Sequence, residues 1–139
     1  MATFEELKMA QQTLQNFEGL RTDIRGNAQD YLNRIARGHP LATIVDVVKQ
    51  NTSEYRRRLN WARAVNDDAG RRARLLSGVR AMTGLSATAA TAELTGLYAA
   101  LDAAVAGEES RVGGITTAAD VEAHANATRA ALADHDSVW

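Results

Sequence analysis

The chain has 139 residues, 45% of them hydrophobic and 24% charged, with a formal net charge of −1; that suffices for one domain with a buried core. The absence of cysteine excludes disulfides, thiolate metal sites and cysteine nucleophiles. A single proline and 5% aromatic content disfavour a β-sandwich, and the longest strongly apolar run, LATIVDVV at 41–48, is broken by Asp46 and too short to span a bilayer.

The start, MATFEELKMAQQ, shows no basic stretch leading into an apolar one, so no secretory leader is expected. The expected location is the cytoplasm of the producing cell, or a particle assembled there. Thr3 with Glu6 forms a capping-box pattern. From there a heptad pattern runs without proline to residue 38. One position set is Leu7, Leu14, Arg21, Ala28 and Ile35; the other is Ala10, Phe17, Ile24, Tyr31 and Gly38. That is about four heptads of apolar 3-4 spacing, with Arg21 intruding. Leu20 and Leu32 widen the stripe, and Gly19 and Gly26 suggest a bend or a close helix contact.

Gly38 and Pro40 close this helix. A second helix is expected from about Leu41 to Val65, facing inward through Leu41, Ile44, Val48, Tyr55, Leu59, Ala62 and Val65. The β-branched start leaves a short strand at 43–48 as an alternative. NDDAG at 66–70 reads as a turn, with one continuous helix as the alternative. A third helix, about 68–83, would face inward through Ala69, Ala73, Leu76, Val79 and Met82. A fourth, capped by Ser86 or Thr88, runs to about Ala106 through Leu94, Leu97, Leu101 and Val105. GEESRVGG at 107–114 reads as a loop. Thr117 with Asp120 resembles a second capping box, opening a fifth helix to about Ala133 with Val121, Ala125, Thr128 and Leu132 inward.

The expected fold is therefore all-α, an elongated bundle of four or five helices in a single domain. A long hairpin at about 3–65 is followed by smaller helices at about 68–134 and a short tail at 135–139. A first helix of some 35 residues is about 50 Å long, whereas a compact chain of this size is about 37 Å across. Either the bundle is elongated, or the first helix packs on another chain.

Charge is uneven. Residues 1–20 carry −2, residues 21–80 carry +7 and residues 81–139 carry −6. Fourteen of the sixteen basic residues are arginine, a usage typical of GC-rich coding, so arginine alone is no sign of bidentate chemistry. In NTSEYRRRLNWAR, at 51–63, Arg56, Arg57, Arg58 and Arg63 suit either of two roles. They are a solvated helix face paired with acids, or the recognition helix of a nucleic-acid-binding unit. Trp61 lies off the main stripe, where it widens the core or anchors a partner.

No nucleophile elbow, phosphate loop or His-Glu-X-X-His is present, and no enzyme activity, metal or cofactor is expected. Asp120 and His124, four apart on one helix, are the only metal-like spacing; a site would need His39 or His135 to join them. The expected function is a non-catalytic structural or assembly protein that self-associates or binds other subunits through coiled-coil-like helix packing. A small virion connector or accessory component of a bacteriophage would fit. Its expected contacts are Leu7, Leu14, Phe17, Ile24, Tyr31 and Trp139. The alternative is a nucleic-acid-binding regulator using residues 53–63.

Overall fold

The structure, a computed structural model, describes residues 2–133, apart from the side chains of residues 65, 66 and 133. Its helices are α1 (Phe4–Ala36), α2 (Leu41–Asp67), α3 (Ala69–Thr83), α4 (Ala87–Val112) and α5 (Ala118–Ala133), with no strand among the described residues. Residues 43–48 are helical, because Ile44 and Val48 lie on one helical face and are buried there.

Helix ends follow the local chemistry. Thr3 Oγ1 accepts the Glu6 N–H at 3.1 Å, and the Glu6 carboxylate accepts the Thr3 N–H at 2.9 Å, satisfying two orphan donors at once. Those contacts hold the Glu6 carboxyl below its usual range, the backbone N–H of Thr3 contributing most. At the other end Gly38 adopts φ 74°, a conformation glycine takes without Cβ strain. It lets Gly38 N–H reach the Ile35 carbonyl and His39 N–H the Arg34 carbonyl, a Schellman closure. Asp68 alone separates α2 from α3, its carboxylate accepting the Arg71 N–H. Ser86 caps α4. Thr117 and Asp120 cap each other at α5, and Asp120 also accepts the N–H and hydroxyl of Thr116. Replacing Thr3 with alanine is expected to cost about 1 kcal/mol, read as a lower urea midpoint with earlier amide exchange in the first turn of α1.

Helices α1, α2, α4 and α5 form a four-helix bundle in that cyclic order. Neighbours run antiparallel: Arg58 of α2 meets Asp23 of α1, and Asn51 meets Tyr31. Arg56 likewise meets Asp102 and Thr52 meets Glu108 of α4. At 33 residues α1 is longer than α5, which has 16. Helix α3 packs on the stretch of α1 that α5 leaves uncovered. The overhang is thus resolved by an elongated bundle, α3 and α5 dividing one flank of α1.

The heptad stripe is buried inside the chain itself. Ala10, Leu14, Phe17, Leu20, Ile24 and Tyr31 are core residues, and Leu7 is half-buried. Expected partner contacts at Leu14, Phe17, Ile24 and Tyr31 are therefore corrected to intramolecular packing, because the chain's own helices cover them. Trp139 lies outside the described residues. The intruding Arg21, 9% exposed, donates to the Leu132 carbonyl in the last turn of α5 at 3.2 Å, and Arg25 donates to the same oxygen at 2.9 Å. Two cations at a helix C-terminus complement its partial negative charge.

Two other expectations are corrected. Helix α3 turns Leu75, Gly78 and Val79 inward, leaving Ala69, Ala73 and Met82 exposed. The reason is Gly78, which crosses α1 so closely that an added Cβ would lie 2.1 Å from the Glu6 carbonyl oxygen. Gly19 and Gly26 make no such contact; the space beside Gly26 is open. And α4 does not stop near Ala106 but continues to Val112, which carries Glu108 and Arg111 into the bundle.

Candidate functional site: the Trp61 face and a buried polar layer

The arginines of 51–63 do not converge. Arg56 bridges two acids of α4, Asp102 at 2.8 Å and Glu109 at 2.6 Å, and these hydrogen bonds push its pKa further up. Arg57 pairs with Glu54 one turn back. Arg58 reaches Asp23 of α1 at 2.7 Å. Arg63 lies 3.6 Å from Asp67 and 6.0 Å from the Tyr98 ring centroid. Of the four, Arg56 meets acids of α4, whereas the other three pair with acids inside the basic middle of the sequence, and the four guanidiniums point to four different neighbours.

Three large apolar side chains are exposed among the described residues: Phe4 (79%), Trp61 (65%) and Met82 (45%). Phe4 sits in the first turn of α1 and Met82 in the last of α3. Trp61 differs, standing mid-helix between two grooves. The first, about 440 Å³, runs between α1 and α2 and is lined by Phe17, Leu20, Glu54, Arg57, Arg58 and Trp61. The second, about 210 Å³, is lined by Met9, Thr13, Ala62 and Arg71, with Trp61 again on its wall. Phe17 and Leu20 belong to the core, so the floor of the larger groove is a rigid, apolar part of the bundle. Its walls carry the charges. An exposed indole on such a floor, ringed by guanidiniums, has the make-up of an interface anchor.

A second arrangement, not anticipated from sequence, lies inside the bundle. The apolar interior falls into two clusters, one centred on Leu14, Leu59 and Leu97, the other on Tyr31, Ile44 and Val121. Between them sit Thr52, Glu108, His124 and Thr128, all buried. Glu108, fully enclosed, accepts the Thr128 hydroxyl at 3.0 Å. The Thr52 hydroxyl lies 3.2 Å from its other oxygen and 2.7 Å from the Val48 carbonyl, with one proton to give between them. Arg111 donates from Nε to His124 Nδ1 at 3.3 Å and from a terminal nitrogen to Thr128 at 3.0 Å. Because Nδ1 accepts, the ring proton is assigned to Nε2. That nitrogen faces Glu108 Oε1 at 3.4 Å, outside hydrogen-bond alignment, so the contact is electrostatic.

Burial pushes the Arg111 pKa down, opposed by the Glu108 carboxylate. Two tyrosines border the layer. Asn51 donates to the Tyr31 hydroxyl and Asn27 to that of Tyr55. Burial raises both phenols, Tyr55 to about 12 and Tyr31 further, so they stay neutral. The set unites a carboxylate, an imidazole and two hydroxyls, but Glu108 and His124 are 0% and 1% exposed. Closed to solvent, it suits a register-setting layer rather than a reacting site.

The Asp120–His124 spacing brings no shared site. Asp120 is occupied at the α5 N-terminus, and hydrogen bonds from Thr116 and Thr117 lower its pKa, whereas His124 points into the core. His39 is exposed in the α1–α2 turn, and His135 lies outside the described residues. No group of three or more metal-ligating side chains occurs among the described residues, and no described helix is long and apolar enough to cross a membrane. Comparison with protein-family models, curated proteins and solved structures gave no match.

Proposed function

We propose that the chain is a non-catalytic assembly protein that binds another polypeptide through the α1–α2 face centred on Trp61. The single observation behind this reading is the position of that indole, 65% exposed beside a groove floored by Phe17 and Leu20. A tryptophan held in water on a well-packed surface gives up burial worth about 1.5–3 kcal/mol for a large apolar side chain, and partner binding recovers it. A role in a bacteriophage or bacterial particle is the setting we propose, on the strength of size and architecture. The nucleic-acid alternative is the weaker one, since it needs Arg56, Arg57 and Arg58 as a free cluster, and each has an acidic neighbour.

A photo-crosslinking amino acid placed at position 61 of the full chain, in the cell that makes it, tests the reading. A discrete adduct is expected at 61 and none from the exposed control positions Ala103 and Glu122. Equal labelling at all three, or none at 61, contradicts it.

A further inference from the structure

We infer that the occupant of the Trp61 face is a second copy of the chain, paired antiparallel along α2; this rests on the function proposed above. The exposed side of α2 carries Ser53, Arg57, Asn60, Trp61 and Ala64. Three of these are small or short and uncharged, so two helices can approach closely there. Trp61 projects from the edge of that side nearest α1, where the 440 Å³ groove lies, between α1 and the stretch of α2 from Glu54 to Ala62, with Trp61 itself on the wall toward its C-terminal end.

The symmetry decides the match. A two-fold axis perpendicular to α2 and level with Arg58 keeps each edge facing its own counterpart while reversing direction. The α1-side edge of one copy therefore meets the α1-side edge of the other. Trp61 lies just beyond the axis toward the C-terminus, so its indole arrives at the Glu54–Arg58 level of the second copy. That level is the half of the groove that the copy's own Trp61 leaves open. Each indole enters the other's groove, packs on Phe17 and Leu20, and has Arg57 beside its ring, in cation–π reach.

The opposite edge of α2 agrees independently. Lys49 and Asp67, both exposed, lie on that edge and equally far from the axis. The pairing therefore sets Lys49 of each copy against Asp67 of the other. A parallel pairing, with its two-fold axis along α2, would instead turn the α1-side edge of each copy to the opposite edge of the other and carry the indoles away from the grooves. The reciprocal arrangement is isologous and closes at two copies.

The test is the solution mass of the purified full chain by light scattering over a range of concentrations, read beside the adduct formed at position 61. The expected mass rises to twice 15.0 kDa. Trp61→Ala returns it to that of one chain. Lys49→Glu and Asp67→Lys each weaken the association at least tenfold, and the two together restore it. Circular dichroism confirms that each variant keeps its helices. A monomer at every concentration, with a position-61 adduct to a different polypeptide, overturns the second copy but leaves the assembly reading standing. No adduct at 61 removes both. A dimer indifferent to Trp61→Ala, or one that the double charge exchange fails to restore, also overturns the pairing.

Discussion

Glu108→Ala is expected to destabilise the chain by about 3–5 kcal/mol, the combined cost of the buried polar groups left without their acceptor and of the cavity that the shorter side chain leaves. The carboxylate is the common acceptor of the polar layer. Without it, Thr128 loses its acceptor, Thr52 keeps only the Val48 carbonyl, and the His124 Nε2–H faces a void. Arg111 keeps its charge, already disfavoured by burial, with no anion to offset it. In a domain whose whole stability is of order 5–15 kcal/mol, such a loss lowers Tm by about 10–20 °C. Glu108→Gln, which keeps one acceptor oxygen and the volume, is expected to retain more stability than the alanine variant. Replacing Glu108, Arg111, His124 and Thr128 together by apolar residues of similar size is expected to cost less than Glu108→Ala alone, because no buried group is then left unpaired. Urea midpoints of the three variants check the order. Equal stability of Glu108→Ala and the parent would mean that the layer is hydrated rather than closed.

Gly78→Ala is the second large effect, and its sign is the unusual part. In an exposed helix interior this change gains up to about 1 kcal/mol. At Gly78 the new methyl would sit 2.1 Å from the Glu6 carbonyl oxygen and 2.8 Å from the Ala10 Cβ. Backbone cannot yield as a side-chain tip does, so α3 must lift off α1, at a cost of about 1–3 kcal/mol or more. Gly26→Ala, in the open middle of α1, is the control and is expected to stabilise. The same substitution therefore takes opposite signs at two helical glycines. Thermal unfolding of both variants reads this directly, and a stabilised Gly78→Ala would show that α3 is not seated on α1 as described.

The helices and their caps were legible because they rest on local rules. Thr3 with Glu6, Gly38, Ser86, and Thr117 with Asp120 act within a turn of themselves, and each cap forms as its residues dictate. The stripe of α4 was legible too, through Leu94, Leu97, Leu101 and Val105, but only while its members were apolar. Glu108 is the next residue on that same stripe. A carboxylate at a core position interrupts a hydropathy pattern, and Gly107 beside it imitates a loop, so the expected helix ended nearly two turns early. Helical spacing extended past the apolar residues would have found it. His124 posed the converse problem. Its spacing from Asp120 suggested shared chemistry, whereas the capping pattern already assigned Asp120 to the helix end and left His124, one position before Ala125, on the inward side.

Gly78 was not legible, since nothing in the sequence distinguishes a glycine that admits a crossing helix from one that is merely tolerated. Nor could sequence decide whether the α1 stripe served the chain or a neighbour. That depended on α3 and α5 together covering the flank of α1, a tertiary outcome. With the stripe buried, the large apolar side chain left exposed mid-helix among the described residues is Trp61 of α2, beside Arg57 and Arg58 at the α1–α2 groove.

The most direct measurement is collisional quenching of Trp61 fluorescence by acrylamide, in a Trp139→Phe background so that one indole reports. The account predicts that Trp61 is quenched freely in dilute protein and progressively protected as concentration rises. Lys49→Glu should abolish the protection without altering the dilute value. Quenching that is the same at every concentration in both proteins would contradict the proposal that two copies of the chain pair through this face.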